Sequence, residues 1–354
     1  MILGIICEFN PFHKGHKHLI DSVKTHEDDA VICAMSGNFV QRGEFAVQSK
    51  FERAKTALEN GADLVIEIPT LCSTLSAQGF AKAGVEILES TGVCQALAFG
   101  AECDDADELI KVANKIKECD SQIKEELQKG VSYPKARQNA IGSPLLETPN
   151  NILAIEYLTY TSLKPIVVKR IGKGHDSDDK EYSASEIRKN MSLDDICSME
   201  NCNNAILAKL RTMTKEDFAN IDDVSEGLEN RIYDAVRQAT SINEIYDLVK
   251  TKRYTHSRIR RIILRSYLSI TKDAPKNPTY IRVLGFNDKG REILRQMKKT
   301  SKLPVLMRYS DINQTDCTVK DLFEQECIFT DLYNLGYKKP LPCGAEQRSQ
   351  VVII

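Results

Sequence analysis

A chain of 354 residues exceeds the usual size of one domain, so two compact units are expected. A hydrophobic share of 42% with 28% charged residues is that of a globular protein, and no run approaches the roughly 20 apolar residues of a membrane span, so no membrane partner is expected. The net charge of -2 hides an asymmetry: residues 251–300 hold 14 Lys or Arg against 3 Asp or Glu, a local balance of +11 that leaves -13 elsewhere.

In chain order, the first run, ILGIIC at 2–7, has no basic leader before it and reads as a first strand rather than a secretion signal. Eleven cysteines are scattered singly without a CxxC pair, which fits reduced thiols and a cytoplasmic location; Cys7, Cys33 and Cys72, in or beside apolar segments, read as core residues. Further strand-like runs follow at 30–35, 63–68, 95–100 and 165–171. Between them lie helical patterns such as 46–60, with Gly61 placed as a stop. Strands alternating with helices predict an α/β fold, a Rossmann-like, doubly wound parallel sheet, whose ligands bind at the carboxyl ends of the strands. Polar clusters stand there: EFNPFHKGH after the first run, SGNFVQRGE after the second and GAE after the fourth. From about residue 190 the pattern becomes helical (203–213, 226–239, 243–250, 255–269), with sparse strand-like runs at 279–285 and 303–307. The expected division is a Rossmann-like nucleotide domain over 1–192 and a mostly helical, basic domain over 193–354.

The most informative stretch is Glu8 to His16, where a strand hands over to a helix. His13 and His16, three apart on a first helical turn, share one side, beside free backbone N–H groups and the positive end of the helix dipole. Such a corner suits a polyphosphate. Pro11 fits the tight connection, and Gly15 removes a side chain where a nucleotide can approach. In displacement at phosphorus, preorganised donors stabilise charge on the equatorial and leaving oxygens, which is the role read for the two imidazoles. Surface histidines, or an adventitious metal cluster with His18, is the bland alternative. A second element, Ser-Ala-Ser-Glu-Ile-Arg-Lys at 183–189, reads as a serine-capped helix start presenting Ser183 or Ser185 and then Arg188 to phosphate; alone it is a plain helix cap.

His13-Lys14-Gly15-His16 resembles the HxGH motif of nucleotidylyltransferases and class I aminoacyl-tRNA synthetases, and 183–189 resembles their ISSTxxR-type element. The blocks GIICEFNPFHKGH, MSGNFVQRGEFAVQSKFERAKTAL, GADLVIEIP, AFGAE, KGVSYPKAR, PNNILAIEYL, LVKTKRYT and YIRVLGF together resemble, over nearly the whole chain, the bacterial tRNA(Met) cytidine acetate ligases. That resemblance implies activation of acetate with ATP to acetyl-adenylate, then acetylation of N4 of the wobble cytidine of elongator tRNA(Met). It implies ATP contacts along Ile6, Cys7, Glu8, Phe9, Asn10, Pro11, Phe12, His13, Lys14, Gly15, His16, Lys17, His18 and Leu19, and at Gly100, Asn151 (with Asn150 close behind) and Arg170. Mg²⁺ is expected to come with the ATP phosphates. Two departures stand out against generic nucleotidyltransferases, which commonly carry Gly, Ser or Thr and then Asp where this chain has Cys7, Glu8 and Asn10. Glu8 beside a triphosphate is repulsive unless it meets a metal, a ribose or a base amine. Lys14 stands where many relatives have Asn and adds a cation between the histidines.

The loop Ser36 to Glu44 reads either as a cover over acetate or the tRNA, or as a connecting turn; Lys50 and Arg53, one turn apart, face a common anion or solvent. In the basic segment, Arg258, Arg261 and Arg265 recur at helical spacing and predict a stripe tracking RNA phosphates, with Tyr254 or His256 to stack on an unpaired base. Two other readings stay open: a nucleotidylyltransferase joining AMP to a small phosphate ester, and an RNA-binding protein with a retired nucleotide site.

Overall fold

The computed structural model describes residues 1–170, 184–192, 194, 196–225 and 227–354. Apolar runs of five to seven residues become strands β1 (Ile2–Cys7), β2 (Ala30–Ser36), β5 (Leu64–Ile68), β6 (Ala96–Ala101) and β7 (Lys164–Lys169), within a residue or two of the runs read from the sequence. They pair in parallel in the order β5-β2-β1-β6-β7. Strand order therefore reverses between β1 and β6, which opens a crevice beyond their carboxyl ends, the place where doubly wound sheets hold ligands.

Both faces of the sheet are covered, as a parallel sheet requires. On one face Leu3, Ile5, Val31, Cys33 and Val65 pack against Ile20 and Val23 of helix Lys14–Val23 and Ala54, Ala57 and Leu58 of helix Lys50–Glu59. On the other, Ile6, Ile32, Ala34, Ile66 and Leu97 pack against helices Ala77–Ser90, Ala106–Glu118 and Pro149–Tyr160. A short antiparallel hairpin, β3 (Phe39–Val40) and β4 (Glu44–Phe45), leaves the end of β2.

The C-terminal stretch departs from a separate helical unit beginning at 193. Strand β8 (Ile281–Phe286) lies antiparallel against β5, and its outer edge carries β9 (Val305–Leu306) and β10 (Val352–Ile353), so all three belong to the sheet of the N-terminal half. The cause is the edge of β5, fully buried, which would otherwise present unpaired backbone groups. The turn after β8 is held to the start of β5: Asn287 donates its backbone N–H to the Asp63 carbonyl (3.1 Å) and its side-chain amide to the Asp63 carboxylate (2.9 Å). A Cβ on Gly290 would lie 2.0 Å from the Asp63 carbonyl oxygen, so only glycine fits that approach. The helical unit has its own core, built from residues between Cys197 and Ile270, and takes in Phe39 and Phe45 of the hairpin together with Phe329 and Tyr333 of helix Cys317–Tyr333.

Candidate active site

The first motif folds as strand, tight loop, helix. Phe9 turns the chain in the left-handed region (φ 46°) and buries its ring, and Asn10, also buried, accepts the Val47 N–H at 2.8 Å through its side-chain oxygen. His13 is the N-cap of helix 14–23, its Nδ1 accepting the Gly15 N–H at 3.1 Å, while His16 Nδ1 accepts the His13 N–H at 3.2 Å. This is a reciprocal capping box made of imidazoles instead of a hydroxyl and a carboxylate. The rings stack at 3.7 Å, and Phe9 and Phe12 pack around His16 at 4.9 and 5.6 Å. A Cβ on Gly15 would sit 3.0 Å from the His13 ring, so this glycine makes room for the cap itself.

The geometry fixes the chemistry of the pair. With each Nδ1 engaged as an acceptor, a neutral ring carries its proton on Nε2, the remaining nitrogen. Burial, then the neighbouring His13 and Arg170, push the His16 pKa well below its ordinary 6.5. His16 is thus a neutral donor at physiological pH, fit to hydrogen-bond a phosphoryl oxygen without giving up its proton.

Arg188, on helix Ala184–Asn190, donates through Nη1 to the Asn10 carbonyl, which brings the second element onto the loop of the first. Ser183 lies outside the described residues. The far wall of the crevice is polar: Arg170 donates its backbone N–H to Ala101 (3.0 Å) and its Nη1 to the Asn150 side-chain oxygen (3.2 Å), and the Asn150 amide donates to Glu102 at 2.6 Å. Gly100, at the end of β6, would place a Cβ 3.4 Å from the Arg170 Cγ, so a side chain there would crowd the arginine. Asn151 is different. It is buried, and its side-chain oxygen accepts the Cys103 N–H at 2.9 Å, so it shapes the wall from behind while Asn150 fronts it.

Not every residue of 6–19 offers its side chain to this crevice. Ile6, Cys7 and Phe9 pack into the cores on the two faces, Lys17 pairs with Asp21, His18 meets Ser22, and Leu19 packs beneath the sheet. Pro11 is buried; Lys14 and Gly15 are exposed at the helix start. Cys33 and Cys72 are buried as read from sequence, with the Cys72 thiol pushed up to about 12, first by burial.

Two readings of cationic residues are corrected. Lys50 and Arg53 face neither solvent nor ligand. Lys50 lies fully buried against Glu67 (2.8 Å) and Glu346 (2.7 Å); burial opposes its charge, but the surrounding carboxylates outweigh that and hold its pKa above the ordinary value. Arg53 donates to the carbonyls of Glu8 (2.6 Å), Ser36 (3.1 Å), Gln48 (3.1 Å) and Gly37, and so ties the ends of β1 and β2 together.

The arginine stripe turns inward as well. Arg258 donates to the Asp223 carbonyl at 2.6 Å and lies over the buried Tyr254 ring, Arg261 pairs with the Asp223 carboxylate at 2.9 Å, and Arg265, 2% exposed, reaches the Leu71 carbonyl and the Thr74 hydroxyl. Helical spacing correctly groups these side chains on one face, but that face is the one packed on the rest of the protein. Arg260 pairs with Glu44, which docks the β3–β4 hairpin on helix His256–Tyr267. The loop from Ser36 to Glu44 is therefore a built wall, with Arg42 exposed at its tip.

Among the described residues no cluster of three or more His, Cys, Asp or Glu is arranged to hold a metal ion, and no helix is long and apolar enough to cross a membrane.

A family model described as HIGH Nucleotidyl Transferase matches residues 1–348. The chain is 38% identical over 392 aligned positions to the tRNA(Met) cytidine acetate ligase of Thermoanaerobacter sp. (strain X514), with 98% of each chain covered. It is 37% identical over 413 positions to the protein of the same name from Acetivibrio thermocellus, with all of both chains covered. The crystal structure of Thermotoga maritima TmcAL bound with alpha-thio ATP superposes with a TM-score of 0.89 at 31% identity, covering 100% of this chain and 99% of that one.

Proposed function

The chain belongs to the tRNA(Met) cytidine acetate ligase family within the HIGH nucleotidyl transferases, and from that premise we propose that it joins acetate to the N4 amine of the wobble cytidine of elongator tRNA(Met) at the expense of ATP. ATP binds in the β1/β6 crevice. A carboxylate oxygen of acetate attacks the α-phosphorus, the bond to the β-phosphate oxygen breaks, and pyrophosphate leaves. The cytidine amine then attacks the acetyl carbon, its C–O bond to phosphate breaks, and AMP leaves with the electron pair. Activation is necessary because acetate has only oxide to expel, whereas the mixed anhydride has AMP.

The observation that carries this reading is the convergence of donors on one corner: the imidazole cap of His13 and His16, and Arg170 with Asn150 beside it. Neutral His16 supplies a non-titrating donor, and Arg170 supplies charge where the triphosphate is most negative. Arg188 holds the loop on which the cap is built. Mg²⁺, which prefers phosphate oxygens and retains waters, is proposed to enter with the triphosphate.

Pyrophosphate exchange into ATP tests the first half. Exchange that depends on acetate is expected; exchange that requires a phosphate ester instead would favour the nucleotidylyltransferase reading, and silence with every substrate would leave an RNA-binding protein. Mass spectrometry of tRNA after incubation with ATP and labelled acetate tests the second half, the expected product being one acetyl group on the anticodon cytidine.

A further inference from the structure

We propose that Glu8 orients the cytidine amine and accepts its proton in the acetyl-transfer step, an inference that rests on the ligase reading above. Glu8 follows directly on β1, at the mouth of the crevice where strand order reverses. Its main chain is immobilised: Arg53 holds its carbonyl at 2.6 Å, and the next residue, Phe9, is buried. Its side chain is half-buried and fixed by one oxygen, Oε1 accepting the Gln41 N–H of the hairpin at 2.7 Å. Among the described residues nothing takes the second oxygen. A carboxylate positioned by one oxygen and open at the other, at the entrance of a phosphate-binding crevice, needs an N–H or O–H donor.

Charge logic selects that donor. A carboxylate here repels a phosphate ester, so it suits an acceptor substrate that brings an amine. The exocyclic amine of cytidine is such a group and requires help, because its lone pair is delocalised into the ring and becomes nucleophilic only as an N–H proton is drawn away. The step balances: the N–C(acetyl) bond forms, the C–O bond to AMP breaks, AMP departs with that electron pair, and the amine proton passes to the free oxygen of Glu8.

The groups facing this carboxyl from each neighbouring element are Arg53 of helix 50–59, Arg42 and Glu44 of the hairpin, Tyr157 of helix 149–160, and Cys7 of its own strand. Burial raises the Glu8 pKa, and Glu44 adds to the rise; the Gln41 N–H, Arg53 and Arg42 oppose it. The balance leaves it a better proton acceptor than a surface glutamate. Cys7 and Tyr157 are both driven to higher pKa, first by burial, and stay protonated beside it.

The test is Glu8→Gln, which keeps an oxygen for the Gln41 N–H, with Glu8→Asp as a second variant. Enzyme preloaded with ATP and labelled acetate is chased with tRNA in a single turnover across pH, and acetate-dependent pyrophosphate exchange is measured on the same preparation. Wild-type transfer is expected to slow as pH falls through the Glu8 titration. Glu8→Gln is expected to transfer at least ~100-fold more slowly and without that acid limb, and Glu8→Asp to recover part of the rate and the limb. Transfer by Glu8→Gln within threefold of wild type, or an unchanged acid limb, overturns the proposal. So does a loss confined to the KM for ATP, which would put the adenine amine on Glu8, and so does an equal loss of exchange and transfer. Absence of acetate-dependent exchange in the wild-type protein strikes the ligase reading itself, and this proposal with it.

Discussion

At the scale of single residues, the imidazole cap shows how one pair serves both fold and chemistry. His13 and His16 close the first turn of helix 14–23 through their Nδ1 atoms, which turns the Nε2 of His16 away from the cap. Replacing His16 with Ala removes a donor and half of the cap. Acetate-dependent exchange is expected to fall by about 10²–10³, the usual cost of one lost donor to a transition-state oxyanion, while the cap itself costs only ~1 kcal/mol of stability. Exchange assays and a thermal melt on the same protein check both numbers. The pH behaviour has a definite sign. The fold holds His16 neutral below its ordinary 6.5, whereas the unfolded chain takes up a proton there. As pH falls below about 6.5 toward the depressed folded value, His16 therefore contributes a loss of stability, which His16→Ala removes. Urea titrations of both proteins at pH 7.5 and 5.5 should show the smaller decline in the variant. The strand-to-helix corner was legible because HxxH after an apolar run is a local pattern, whereas the use of both imidazoles as the helix cap was not. The burial of Arg53 was not, because nothing near it in sequence announces that four main-chain carbonyls converge on its guanidinium.

At the scale of elements, the hairpin joins the crevice to the helical unit, and a buried charge cluster joins helix 50–59 to the C-terminal elements. Gly43 sits at φ 77° at the hairpin tip, and a Cβ there would lie 2.4 Å from the Arg261 backbone nitrogen. Gly43→Ala is expected to lift the hairpin from helix 256–267 at a cost of about 1–3 kcal/mol, read as a lower melting temperature and faster proteolysis between Gly37 and Phe45. Lys50 binds helix 50–59 to β5 through Glu67 and to helix Ala345–Arg348 through Glu346, whose other oxygen meets Arg282 of β8 at 3.4 Å. Lys50→Met leaves buried carboxylates without their cation, and a loss of roughly 3–5 kcal/mol in chemical denaturation is expected. The extents of these elements were readable from apolar periodicity: helices foreseen at 203–213 and 255–269 are found at Asn203–Arg211 and His256–Tyr267. What periodicity does not give is which face of a helix meets the protein. Arg258, Arg261 and Arg265 share a face as their spacing requires, yet the first two meet Asp223, 35 residues before Arg258, and the third reaches Leu71 and Thr74.

At the scale of the whole molecule, the correction is one of connectivity. A change from strand-helix alternation to helices near residue 190 suggests two separable units, but local composition carries no information about which strand a later segment will pair with. Strand β8, all six residues buried, returns to β5 from more than two hundred residues away, and helix Asp288–Thr300 follows it with Ile293, Leu294 and Met297 in the sheet's core. The sheet is thus completed by strands that follow the helical unit in sequence. A fragment of residues 1–192 lacks β8, β9 and β10 and the Asn287 contacts to Asp63, and it bares the fully buried edge of β5. Such an edge is a template for pairing between chains. The fragment is expected to be recovered mostly as aggregate, or as a soluble species that binds a hydrophobic dye and melts without a cooperative transition. A monomeric fragment with a sharp melt and nucleotide binding would show instead that β5 tolerates exposure and that the crevice stands independently of the strands that cover its flank.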